Sequence, residues 1–62
     1  MISTTPAQQE FVYRMWYNTK FRESLNKKEQ WITRAVVLRG EYSTDDRDIL
    51  NIVRDKWINF KH

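Results

Sequence analysis

The chain has a single glycine, Gly40, and its flanks restrict what the chain can become. Helical patterning runs over Lys27–Arg39 on one side and Thr44–Phe60 on the other, joined by Gly40-Glu41-Tyr42-Ser43. A glycine just past a helical run suits the left-handed conformation that closes a helix, because it has no Cβ to clash there. Ser43 is placed to cap the following helix. Asp45 and Asp46 fall in that helix's first turn, where negative charge meets exposed N–H groups and the positive end of the dipole. Stop and start together predict a helical hairpin.

A third helix precedes it. In Thr5-Pro6-Ala7-Gln8 the threonine can cap, proline is pre-set for the first helical position, and Gln8 completes a capping box. Asn26-Lys27-Lys28-Glu29 forms a second such box, with Leu25 just outside to cover the start of the helix. Lys20-Phe21-Arg22-Glu23-Ser24 holds no strong breaker, so the end of the first helix stays open. The expected fold is all-α: a compact three-helix bundle with a central helical hairpin, helices at about 6–19, 27–39 and 44–60, and one domain over residues 1–62.

Advancing about 100° per residue sorts the faces. The first helix puts Phe11, Val12, Met15 and Thr19 on one side. Tyr13 and Tyr17 lie roughly opposite with Arg14, Lys20 and Phe21 near them, and Trp16 is on the border. The second presents Trp31, Ile32, Ala35, Val36 and Leu38, with Val37 off that arc and exposed. The third gathers Ile49, Leu50, Ile52, Val53, Trp57 and Phe60 in one wide sector, the expected centre of the core. The expected packing set is Phe11, Met15, Trp31, Ala35, Leu38, Ile49, Leu50, Val53 and Trp57.

At 62 residues and without cysteine, a disulfide or thiolate metal site cannot supply stability, so packing or association must. Aromatic residues, 15% of the chain, bring enough buried area per residue to make a core feasible. The net charge of +3 is uneven. Seven basic residues face three acidic ones through Gly40, against four and five beyond it, so an anion-binding surface belongs to the first two thirds. No stretch approaches the ~20 apolar residues of a membrane span, and Met1-Ile2-Ser3-Thr4-Thr5 lacks the regions of a secretory signal. A soluble cytoplasmic protein with no membrane partner is expected.

Four constellations bear on chemistry. Tyr13, Arg14, Tyr17 and Lys20 combine rings that stack bases with cations that neutralise phosphates, a pairing suited to single-stranded nucleic acid. The bland alternative has the rings covering the edge of a small core. Arg47, Arg54 and Lys61 recur at sevens, as do Lys27 and Arg34, giving rows that could track a phosphate backbone or simply face water beside Asp48, Asp55 and Glu29. Helix-turn-helix reading of a DNA groove is disfavoured, because Asp45, Asp46 and Asp48 would meet the phosphates with only Arg47 to offset them. Those aspartates lack a ligand loop for calcium, His62 is the lone histidine, and no base stands by a serine or threonine, so no catalytic residue, metal or cofactor is expected.

Leu25-Asn26-Lys27-Lys28-Glu29-Gln30-Trp31-Ile32, Tyr42 to Leu50 and Lys56-Trp57 resemble small helical modules of phage and mobile-element proteins that act on DNA. The small accessory proteins associated with the UvsW helicase of T-even phages are among them. The resemblance implies a nucleic-acid- or helicase-associated role and assigns no individual residue; with no phosphate loop present, nucleotide hydrolysis does not carry over.

The expected function is therefore a non-enzymatic accessory protein that binds nucleic acid, single-stranded by preference, through Tyr13, Arg14, Tyr17, Lys20, Lys27 and Arg34. The competing expectation is a protein-interaction module, an inhibitor or adaptor of a larger protein such as a helicase, or a homodimer. Trp16, Val37 and Ile58 are its candidate contacts, as apolar surface beyond what a small core buries.

Overall fold

The computed structural model describes residues 1–61, with the side chain of Lys61 excepted; Lys61's place in the basic row and His62 both lie outside the described side chains. The order is β1 (Ile2–Ser3), α1 (Pro6–Tyr17), α2 (Thr19–Ser24), α3 (Lys27–Arg39), β2 (Glu41–Tyr42), a 3-10 turn (Thr44–Asp46) and α4 (Arg47–Lys61). The chain is thus mainly helical, with four α-helices among the described residues where three were expected. A short strand precedes α1: β1 pairs antiparallel with β2, Ile2 opposite Tyr42 and Ser3 opposite Glu41.

The extra helix comes from Asn18. Its extended backbone (φ −83°, ψ 103°) interrupts what would be one helix over 6–19, and its side chain accepts a hydrogen bond from Phe21 N–H at 3.0 Å, capping a new helix in a new direction. Both expected capping boxes form, Thr5 with Gln8 and Asn26 with Glu29. Gly40 closes α3 at φ 71°, in the left-handed region, its N–H donating to Val36 O at 2.8 Å. Ser43 has a capping backbone but no side-chain cap hydrogen bond, and the segment after it starts as a 3-10 turn before α4 proper.

Packing is organised around α3 rather than the last helix. Both α1 and α4 lie against α3 and not chiefly on each other. Each runs antiparallel to it: Gln9 in the first turns of α1 reaches the last turn of α3, while Lys56, late in α4, reaches its first. Consequently α1 and α4 run parallel, side by side. The core consists of Val12, Met15, Phe21, Leu25, Val36, Val37, Val53 and Trp57, with Phe11, Trp16, Tyr42, Ile49 and Leu50 packed around it.

Several sorting expectations are overturned. Trp31 and Leu38 are 66% and 68% exposed, Val37 is only 7% exposed, and α3 instead buries Glu29, Thr33, Val36 and Val37. These four recur at intervals of four, three and one, a proper helical stripe, but half of it is polar. Phe21, expected near the basic face, is turned inward by the capped start of α2 and is 1% exposed. Thr19 is exposed, and Ile52 and Phe60 in α4 are about half-exposed.

Two polar devices fix the ends of α3. At the carboxyl end, Gln9 Nε2 donates to the carbonyls of Val37 (3.0 Å) and Val36 (3.3 Å), the latter shared with Gly40 N–H, so a side chain from α1 caps carbonyls in the last turn of α3. The Thr4 hydroxyl lies 2.7 Å from Gln9 Oε1 and 2.8 Å from Gly40 O, its single proton serving one at a time, and Thr4 N–H donates to Gly40 O. At the amino end, Glu29 accepts from Asn26 N–H at 3.1 Å and from Lys56 Nζ at 2.9 Å through both carboxylate oxygens. Burial alone would raise the Glu29 pKa; the Lys56 ammonium and the Asn26 N–H outweigh it, and the pKa lies below its ordinary value.

Candidate nucleic-acid interface

The exposed face of α3 carries Lys27, Trp31, Arg34 and Leu38 at intervals of four, three and four, one stripe on the side away from Glu29 and Thr33. Trp31 faces water because its helical position opposes the buried stripe, whatever its hydropathy. Across from it, α1 presents the half-buried Trp16. Trp16, Lys27, Gln30, Trp31 and Arg34 line an open groove of about 290 Å³, with no carboxylate among the lining residues.

A guanidinium lies over each tryptophan. Arg34 Cζ is 5.7 Å from the centroid of Trp31, and Arg22 Cζ is 5.0 Å from that of Trp16. Arg22 is further held by a long hydrogen bond to Trp16 O, 3.4 Å. Cation and ring attract through the ring quadrupole, and the planar guanidinium keeps N–H groups free at its edge for a phosphate. On the same helix as Trp16 and one turn before it, Tyr13 begins a second ring pair: Tyr13 and Tyr17 stack with centroids 6.0 Å apart and planes 12° apart, Tyr17 being 70% exposed.

Of the residues expected to bind, Lys27 and Arg34 line the groove. Tyr13 and Tyr17 are on the surface as anticipated, and Lys20 is exposed at the start of α2, but none of the three lines it. Arg14 is turned away: two positions from Trp16 is about 200° around the helix, and there it pairs with Glu10 at 3.0 Å in water. Among the three partner-contact candidates, Trp16 forms part of the groove, Ile58 is exposed, and Val37 is sealed against the core, unavailable to any partner. Arg22, Gln30 and Trp31 were missed. The signal for Trp31 was its spacing from Lys27 and Arg34; for Arg22 there was none, since its place over Trp16 depends on the turn that Asn18 makes.

Among the described residues no three His, Asp or Glu side chains converge to hold a metal, and Asp45, Asp46 and Asp48 are spread over the 3-10 turn and the first turn of α4. Nor is any helix there long and apolar enough to cross a membrane. Compared with known proteins, the chain matches no protein-family model, no curated protein and no solved structure.

Proposed function

We propose that this chain is a non-enzymatic nucleic-acid-binding accessory protein that takes single strands in the groove between α1 and α3. The observation that carries the reading is the pair of tryptophans, each under a guanidinium, flanking a groove whose charged lining residues are both cationic. A base stacks on Trp31, the exposed ring, while Lys27 and Arg34 neutralise the adjoining phosphates; Trp16 with Arg22 closes the other wall. Stacking accepts any base, so the expected sequence preference is small. Tyr13, Tyr17 and Lys20 extend the surface along α1 and α2. Arg14, already paired with Glu10, contributes little. A role beside a larger DNA-processing protein fits the resemblance of the hairpin to phage accessory modules.

Oligothymidylate of about 15 nucleotides tests this, with tryptophan fluorescence as the readout. Stacking should quench the emission, and log K should fall linearly with log salt, each neutralised phosphate contributing about 0.7 to the slope. A Lys27→Gln/Arg34→Gln variant should flatten that slope by about 1.4. Absence of binding at low salt, or binding indifferent to salt, rejects the proposal.

A further inference from the structure

A second groove lies between α1 and α4 and shares no lining residue with the first. It exists because both helices pack on α3 and run parallel without closing on each other. Its floor is Val36 of α3; Ala7, Gln8, Phe11, Val12 and Met15 form one wall, and Arg47, Leu50, Asn51 and Arg54 the other. Thr4 and Tyr42 stand at one end, and the space holds about 390 Å³. From Ala7 to Met15 the wall is about 12 Å long at 1.5 Å per residue, two turns of a further helix.

Its chemistry selects the occupant. The floor and the α1 wall are largely apolar, whereas the α4 rim carries two guanidiniums, Arg47 and Arg54, two turns apart. No Asp or Glu is among the lining residues, and neither arginine takes part in a salt bridge within the described side chains. Ile58 continues the Arg47-Asn51-Arg54 stripe at the next helical interval and is exposed. An amphipathic helix laid in the groove would bury its apolar side chains on the exposed Ala7 and the half-buried Phe11 and Leu50, and bring flank residues seven apart opposite the two arginines.

We propose that this groove is a docking site for an amphipathic helix of a partner protein, one whose apolar face is flanked by carboxylates spaced seven residues apart. Arg47 and Arg54 set polarity and register, and Ala7, Phe11 and Leu50 on the walls supply the apolar contact area. The site is independent of the nucleic-acid groove, so the chain could hold a strand on one surface and a protein on the other.

The test uses the full chain, with the methyl resonances of Ala7, Val12, Met15 and Leu50 as reporters. The probe is a synthetic helical peptide of about four turns with leucines on one face and glutamates seven apart. It should shift these methyls, with no response at Trp31. Arg47→Glu/Arg54→Glu should weaken it about tenfold, and Ala7→Phe, which fills the groove from its rim, should abolish it, while Lys27→Gln/Arg34→Gln leaves it unchanged. Four outcomes overturn the proposal: no shift at millimolar peptide, an equal response to the peptide with lysines for glutamates, saturation by decanoate where the peptide fails, or the same methyl shifts on adding oligothymidylate. Loss of oligonucleotide binding with the peptide response intact would instead count against the nucleic-acid groove alone.

Discussion

The aromatic residues divide into two sets that do different physical work. Inside, Phe21 of α2 meets Trp57 of α4 edge-to-face at 5.0 Å, and the half-exposed Phe60 covers the pair, edge-to-face on Phe21 at 5.4 Å and stacked on Trp57 at 6.0 Å. Outside, Trp16 and Trp31 have cations over their faces and Tyr13 pairs with Tyr17 in water. The rings around Phe21 remove apolar area from water and hold α2 to α4. Rings that contact guanidiniums leave a face or an edge for something else. The difference shows that aromatic content alone says nothing of stability, because identical residue types are spent on both tasks and only helical position tells them apart.

Breaking the inner set should give the largest effect. Phe21→Ala leaves a cavity among Trp57 and its neighbours and should cost about 3–5 kcal/mol. That is comparable with the whole stability of a chain this size, about 3–9 kcal/mol, so far-ultraviolet circular dichroism in urea should show it largely or wholly unfolded.

Next comes the interior charge beside the same helices. Lys56→Met strands the Glu29 carboxylate, and because Lys56 is nearly half exposed the penalty should be about 2 kcal/mol rather than that of a fully buried pair. Since the folded-state pKa of Glu29 is lowered, its contribution is complete above the unfolded carboxylate value of about 4.3 and is lost as pH falls through the lower folded value. Urea midpoints measured from neutral to acid pH should decline less for Glu29→Gln than for the native chain.

The outer set should behave in the opposite way. Trp31→Ala should change stability by less than about 0.5 kcal/mol yet weaken oligothymidylate binding by about 1–3 kcal/mol. A large loss of stability instead would erase the distinction between the two sets. The only gain in stability is expected at Thr33, whose buried hydroxyl has no hydrogen-bond partner among the described residues. Thr33→Val keeps the shape and removes the orphan, and should raise the urea midpoint by an amount corresponding to about 1 kcal/mol.

Local chemistry was legible in the sequence where a residue does its work within one turn. Gly40 at the end of α3 and the capping boxes at Thr5 and Asn26 need only neighbours three or four positions away, and all three form. Asn18 was legible in principle as a cap but was hidden by the helix-compatible residues on both sides of it. The facing of α3 was not legible from hydropathy. Glu29 goes inward because Lys56, 27 residues later, meets it there, and once Glu29, Thr33 and Val37 are inside, Trp31 and Leu38 must be outside. As for the candidate site, Lys27 and Arg34 could be named from spacing, whereas Arg22 could not. The α1–α4 groove was equally invisible, being a gap between elements that pattern analysis treats singly.

The Glu29 carboxylate holds the first turn of α3 and the latter half of α4 together, its Oε1 accepting from both Asn26 N–H and Lys56 Nζ. Fraying of the one and detachment of the other are therefore coupled, each exposing a group that the other would have to leave. This end of the molecule should open as a single cooperative unit, its amides sharing one opening free energy despite their distance in the chain.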